Sequence, residues 1–516
     1  MSYPASRIVL TTRRRRLALV CAALGLGATP AIAQQREFAV VPSVRLTETV
    51  TDNARLGQSS SGTEWITQLN PSVRVDAKSA RIDGQMTLGM NSAMYANGTQ
   101  PNTNQLLLNG NGKLTAWENH GFIDLFGSIS RQPTYAFQPQ GTGGVTGTSN
   151  LSEVKLFTVS PYLKGRFGST GTVEARYSMS DMESNSTAVS RNLTDTWSLT
   201  ASDPYALGRL GWDFNYRDSH TESTNRRDID HTSLRFGGTF AVDPQLMLRV
   251  IGGSETSNYT SADTTTKTIY GGGGDWRISP FTTFKGTVEH RFFGTGYDLS
   301  FEHRGPQLAV QASYSRDVSS LGQSLQGATS QFDRLMAHPA LVASFPNPSV
   351  RAAFITQNYA TLLSMFPGTT DLTNGFYLDR RLQLSVTFIG ARNSLTFTGF
   401  RTERTPLTES SFSLSPTTST TSNYTTTGGT ATVQHKLTPI TSANLSLTAM
   451  RSETGQATVS GTATGPVSAR SRMITAGLTT NFTPKTTGSL SIRNSHGSGS
   501  TSYTENALYG TVLYQF

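Results

Sequence analysis

The chain has 516 residues, with 43 Lys or Arg against 34 Asp or Glu, and only 15% of its residues are charged, well below the about 25% of ordinary soluble domains. Five arginines and no acid fall within the first 33 residues, so the remainder carries 38 basic and 34 acidic side chains, a balance of +4. That near-neutral remainder argues against nucleic acid as a partner, and its lack of cysteine excludes disulfides and thiolate chemistry.

Residues 1–33 have the layout of a secretory signal peptide. Arg7 and Arg13 to Arg16 form a basic start, Leu17 to Leu26 an apolar run, and Ala31-Ile32-Ala33 a small-residue cleavage site. The predicted cut lies between Ala33 and Gln34. The apolar run is too short to anchor the chain in a bilayer. Cys21, the only cysteine, lies inside that run behind Val20, where a lipoprotein site needs a small residue. No later segment approaches about 18 consecutive apolar residues, which excludes a helical membrane protein.

From Phe38 onward the pattern is one of strands with period two. Ile82, Met86, Leu88 and Met90 alternate with Asp83, Gln85, Thr87 and Gly89; Leu210, Trp212, Phe214 and Tyr216 alternate with Arg209, Gly211, Asp213 and Asn215. Leu308, Val310, Ala312 and Tyr314 repeat the pattern, as do Leu445, Leu447 and Ala449. Each run matches a tilted membrane strand of about 9–11 residues. Short turns, several with Pro, alternate with mostly longer joins rich in Ser, Thr, Gly and Asn; the outer join near Gly294–Gly296 is the short exception. Ten turns and eleven outer joins make 22 strands, within a range of 18 to 22. The predicted fold is therefore all-β: a transmembrane, antiparallel, up-and-down barrel over residues 34–516, with short turns toward the periplasm and long loops outside.

One join is unlike the rest. In 318–373, Asn347 and Pro348 read as a helix start, and Val350, Ala353, Phe354, Gln357, Ala360 and Leu363 recur at helical spacing. Phe332, Leu335 and Met336 mark a second short helix. This long, partly helical extracellular loop is expected to act as a cap or to fold into the lumen as a plug. The chain ends on ALYGTVLYQF. Leu508, Gly510, Val512, Tyr514 and Phe516 share one face of this strand, which must pair with the first if no edge is to remain in lipid. Its terminal Phe resembles the assembly signal that the barrel-assembly machinery reads.

If the apolar alternates face lipid, the others line the lumen. The candidates are Glu174, Arg176, Arg209, Asp213, Arg217, Arg235, Arg249, Lys285, Glu289, Arg291, Asp298, Glu302, Asp379 and Arg381. Such charges stiffen a wall by pairing across strands, or form rings that select solutes. Basic and acidic groups are interleaved, so strong ion selectivity is not expected. No HExxH, GxSxG or phosphate loop is present, and the histidines lack metal-ligand spacing; no metal, no cofactor and no enzyme activity is expected. His231 and Ser233 share a face, but it is the inward one, because Leu234, Phe236 and Phe240 mark the lipid side. Gly271 to Gly274 sit in a strand and are read as room for a close neighbour.

The stretches VPSVRLTETVTDNARL (Val41 to Leu56), Gln68-Leu69-Asn70-Pro71, SPYLKGRFG (Ser160 to Gly168) and GTVEARY (Gly171 to Tyr177) together resemble the outer-membrane protein family associated with the PEP-CTERM/exosortase sorting system. Val50 stands where that family usually has an aromatic. The resemblance implies a barrel in the outer membrane of a Gram-negative bacterium, serving as a conduit or docking platform in exopolysaccharide export or surface sorting. It transfers no catalytic residue. A general diffusion porin is the alternative, and a surface-display or adhesion barrel with binding loops 131–151, 317–374 and 404–423 is another.

Overall fold

The computed structural model describes residues 37–516 apart from 59–61, 136, 140, 142–144, 187–190, 225, 325, 327–374, 408–411, 414–417, 421–422, 456, 460–461 and 500–501. The proposed signal peptide with its Ala33–Gln34 cut, and both helices expected within 318–373, lie outside the described residues.

Strands dominate the chain. They are β1 (Glu37–Thr51), β2 (Glu64–Lys78), β3 (Ile82–Tyr95), β4 (Thr103–Trp117), β5 (Gly121–Pro133), β6 (Leu151–Phe167) and β7 (Gly171–Ser184). Next come β8 (Asn192–Leu207), β9 (Leu210–Ser223), β10 (Ile229–Ala241), β11 (Leu246–Ser257), β12 (Thr265–Ser279), β13 (Thr282–Arg291) and β14 (Gly294–Arg304). The rest are β15 (Leu308–Ser320), β16 (Phe376–Ile389), β17 (Asn393–Pro406), β18 (Phe412–Ser413), β19 (Thr418–Thr420), β20 (Tyr424–Lys436) and β21 (Thr441–Thr454). The chain finishes with β22 (Ala457–Val459), β23 (Thr462–Thr464), β24 (Val467–Thr483), β25 (Thr486–Ser498) and β26 (Tyr503–Gln515).

Twenty-two of these form one sheet, and the short β18, β19, β22 and β23 form a second. Each long strand pairs antiparallel with the next, β17 passing directly to β20 and β21 to β24. The ring closes where β26 meets β1, from Ser43 opposite Gln515 to Thr51 opposite Ala507. The Phe516 amide adds a bond to the Pro42 carbonyl at 3.1 Å. A closed ring leaves no backbone donor or acceptor unpaired at a sheet edge, which is what allows strands to cross hydrocarbon.

Alternation sets the faces. Leu508, Val512, Tyr514 and Phe516 point outward and are exposed, with Gly510 on the same side. The same face carries exposed Leu382, Leu384 and Phe388 on β16 and Leu234, Phe236 and Phe240 on β10. Aromatics flank this apolar band. Trp117, Phe281, Phe482 and Phe516 lie at the short-turn end, and Trp65, Trp197 and Tyr270 at the long-loop end, all exposed. Two aromatic girdles around an apolar band are the outward signature of a barrel that sits in a bilayer.

Two expectations need correction. The barrel strands run 10 to 17 residues, longer than membrane thickness requires. The extra length lies at the loop end, where outward positions such as Asp218, His220 and Glu222 turn polar while the backbone ladder continues. The short outer join is Phe292-Phe293 rather than Gly294–Gly296; Gly294 already belongs to β14, with φ of 93°.

Candidate functional site

The inward face is a wall of hydroxyls braced by ion pairs. Hydroxyls pair across strands at Thr47–Thr511 (3.0 Å), Thr196–Ser219 (3.1 Å), Thr426–Ser452 (3.1 Å) and Thr430–Thr448 (3.1 Å). Most predicted lumen residues stand on this face, and the structure brings many of them together. Arg176 holds Asp124 at 2.7 Å and Glu174 at 2.9 Å, with its guanidinium 3.8 Å above the Tyr162 ring. Arg235 reaches Glu289 at 3.3 Å, Arg249 reaches Asp213 at 3.2 Å, and Arg381 holds Asp379 at 2.5 Å. Arg291 joins Glu255 at 2.8 Å and Asp317 at 2.5 Å. Glu302 pairs with Arg304 at 2.6 Å near the turn end. Arg217, Lys285 and Asp298 are on the wall but make no ion pair among the described residues. Arg209 departs from its predicted place: it sits in the exposed turn between β8 and β9, not on the lumen face.

Several of these pairs skip a strand, and glycine makes that possible. Asp213 on β9 reaches Arg249 on β11 over Gly237 of β10; a Cβ on Gly237 would lie 2.4 Å from the Asp213 carboxylate. Arg235 on β10 reaches Glu289 on β13 past its register partner Gly253 and past Gly271, the partner of Glu289. At Gly271 the approach predicted for the glycine run is found: a Cβ would meet the Val288 carbonyl at 2.2 Å. At Gly253 it would meet the Leu234 carbonyl at 2.1 Å, which is backbone and cannot swing aside. Gly253→Ala is therefore expected to destabilise the folded barrel by roughly 1–3 kcal/mol. The check is the temperature at which the compact band converts to the unfolded one in electrophoresis.

Sequence reasoning missed Glu64, Glu255, Asp317, Arg404, Arg493 and Glu505. All share the inward parity of their strands; Asp317 and Arg404 lie within 317–374 and 404–423, stretches read as loops, because β15 and β17 extend further than the period-two pattern indicates. His231 and Ser233 do point inward, and no hydrogen bond joins them among the described residues. Ser233 instead accepts from Arg235 at 3.4 Å, and His231 lies 3.8 Å from Glu255.

At the loop end the lumen is crossed twice. The β5–β6 loop, residues 134–150, is cinched at its neck: the Thr134 amide donates to the Asn150 carbonyl at 2.8 Å, and the Tyr135 amide to the Asn150 side chain at 2.9 Å. From there Phe137 packs, only 2% exposed, against inward-facing Tyr377 of β16 and Tyr424 of β20, with Val467 and Ala469 of β24 beside them. Those strands lie across the ring from β5. The same loop is pinned toward β2 and β3. Val145 packs with Ala54, Ile66, Ala93 and Tyr95; the Tyr95 hydroxyl donates to the Val145 carbonyl at 2.8 Å, and the Gly147 amide to the Ala54 carbonyl at 3.0 Å.

The second crossing runs the opposite way. After β15 the chain makes a helical turn over 321–324, and Leu321 packs on Val154, Leu156 and Met182 of β6 and β7. Gln326 then donates to the Thr158 hydroxyl at 3.0 Å. The start of the long loop thus lies inside the ring. Of the three loops considered for binding outside partners, 131–151 sends Phe137 and Val145 inward. Beside the second crossing lies a cavity of about 360 Å³, bounded by Thr194, Thr221 and Ser223, by Arg226 and Arg227, and by Phe376. In the adjoining β11–β12 loop, Tyr259 stacks on Phe292 and packs at a tilt against Phe376, and burial pushes its hydroxyl above the ordinary tyrosine range.

No family model and no curated protein matches the chain. Solved barrels do align with it. The siderophore receptor PirA from Pseudomonas aeruginosa aligns at 9% identity and a TM-score of 0.42, covering 94% of this chain and 81% of that one. The FrpB iron transporter from Neisseria meningitidis, in its apoprotein form, aligns at 9% identity and 0.47, covering 92% and 81%. OccK8 (OprE) from Pseudomonas aeruginosa aligns at 10% identity and 0.30, covering 93% and 98%. Likenesses at this level say nothing about a solute.

Proposed function

We propose that the chain is an outer-membrane conduit for a hydrophilic, polyhydroxylated solute, held shut at its outer mouth by the two crossing segments. The observation that carries this reading is the pair of inward-folded segments over a hydroxyl-lined wall. Ser and Thr hydroxyls offer weak, exchangeable bonds to sugar hydroxyls, and paired charges keep the wall polar without a strong field for either sign. The cavity beside 321–324 lies within the usual range of ligand sites, about 300–1,000 Å³, and combines an aromatic with hydroxyls and two arginines. The family resemblance supports exported polysaccharide as the solute, with exopolysaccharide or surface sorting as its setting.

Liposome swelling is the test. Vesicles carrying the intact protein should swell slowly in small neutral sugars, far below the rate of an open barrel of the same girth. Swelling at an open-barrel rate, graded only by solute size, would sink the gated conduit and leave a general diffusion porin.

A further inference from the structure

The outward face is not uniformly apolar where β17, β21 and β24 near their loop ends. Arg401, Arg451, Arg470 and Arg472 are exposed there. The register sets them in nearly one row: Arg401 opposite Thr427, Thr427 opposite Arg451, Arg451 opposite Arg470, and Arg472 one step below beside His496. Two arginines directly opposite each other repel, and an anion between or over them would relieve that repulsion.

The protein supplies little of that anion. Arg451 holds Glu453 at 2.6 Å, but Arg401, Arg470 and Arg472 hold no carboxylate among the described residues. The inward arginines 176, 235, 249, 291, 381 and 493 each hold at least one. The row is also continuous with the apolar band. On β24 the outward series from the turn is Phe482, Thr480, Leu478, Ala476 and Ile474, and then Arg472 and Arg470. Arg401 lies eight residues above Asn393 and Arg470 thirteen above Thr483. At about 3.3 Å per residue and a tilt near 40°, that is roughly 20–35 Å of climb, the upper edge of an apolar belt about 25 Å tall.

We propose that this row is a binding site for the phosphorylated head group of an anionic lipid in the leaflet on the long-loop side. The acyl chains would lie on Ile474, Leu447 and Leu478, and the phosphate would bridge Arg451 and Arg470, with Arg472 and Arg401 flanking it. Guanidinium groups suit phosphate because they offer paired donors in a fixed plane. A lipid fits this place better than a protein partner, because the cations continue the same ladders that the acyl chains must cover. The inference rests on the membrane-spanning reading but is independent of the solute.

The test is native mass spectrometry of the intact barrel in zwitterionic detergent, titrated with phosphatidic acid or with phosphatidylcholine of the same chains. Heat-modifiable migration in each sample reports whether the barrel is folded, so failure of the membrane reading would be seen separately. The wild type should bind phosphatidic acid in preference, and Arg470→Gln/Arg472→Gln should weaken that binding about 30-fold at low salt, as expected for about 1 kcal/mol per cation. Arg470→Lys/Arg472→Lys should keep most of it. Equal uptake of the two lipids by the wild type would overturn the proposal, as would unchanged binding by the folded Gln variant. Loss of a protein dimer, rather than of bound lipid, in the Gln variant would also overturn it and assign the row to a second copy of the chain. If the Gln variant does not fold, salt decides. The wild-type preference must fall steeply between low salt and about 1 M, where the screening length shrinks to about 3 Å; persistence at high salt would count against it.

Discussion

Excising residues 136–147 and joining Tyr135 to Thr148 through two glycines is expected to raise single-channel conductance in planar bilayers several-fold. The neck formed by Thr134 and Asn150 is retained, so β5 and β6 should still pair in register. What is lost is the seat of Phe137 on Tyr377 and Tyr424, where the Phe137 and Tyr424 rings lie 6.4 Å apart in an edge-on arrangement, together with the Val145 and Gly147 contacts toward β2 and β3. A milder variant separates the anchor from the bulk of the loop. Phe137→Ala gives up a buried aromatic, a change that costs about 3–5 kcal/mol in a packed core. It should convert a steady closed level into flickering openings rather than a permanently larger pore. Leu321→Asp should act on the other crossing by placing a charge among Val154, Leu156 and Met182. If the excision and both substitutions leave conductance at the wild-type level, the crossing segments do not limit passage and the gated reading fails.

The barrel itself could be read from residues because lipid imposes a strict rule on them. Ile82, Met86 and Leu88, or Leu508, Val512 and Phe516, can be sorted by parity alone, and the structure places these sets outward. Joins of alternating length then gave 22 strands without any knowledge of register. Above the lipid that rule stops. Glu255 and Asp317 continue the inward face of β11 and β15, but Ser254, Thr256 and Arg316 beside them are polar, so the period-two contrast that marks a strand fades while its hydrogen bonds continue. The ion pairs across glycines were hidden for a related reason: parity gives a face, whereas Asp213 finding Arg249 over Gly237 depends on which residues stand side by side. Least legible were the inward loops. Phe137 ends a short Tyr-Ala-Phe run and Val145 stands alone in a Gly- and Thr-rich stretch; neither shows periodicity, and only the three-dimensional path shows that they are anchors.

Breaking the charge pair at the seam should cost more than breaking any surface pair. Arg493 of β25 holds Glu505 of β26 at 2.7 Å, and both are nearly sealed from solvent. Glu505 also accepts from Thr51 of β1 at 3.1 Å and from Ser495 at 3.3 Å, so one carboxylate links three strands across the junction where the ring closes. Arg493→Ala leaves that carboxylate buried with two hydroxyls and no cation. Removing one partner of a buried pair costs about 3–5 kcal/mol, because the stranded charge has lost its solvation and gained nothing in return. Urea unfolding in lipid vesicles should show a loss of that size, and refolding should slow because β26 docks less readily on β1. The double change Arg493→Met/Glu505→Leu strands no charge and should recover more than half of the loss. A single variant as stable as the wild type would mean that water reaches Glu505, and the seam would then be held by its backbone ladder and its hydroxyl pairs.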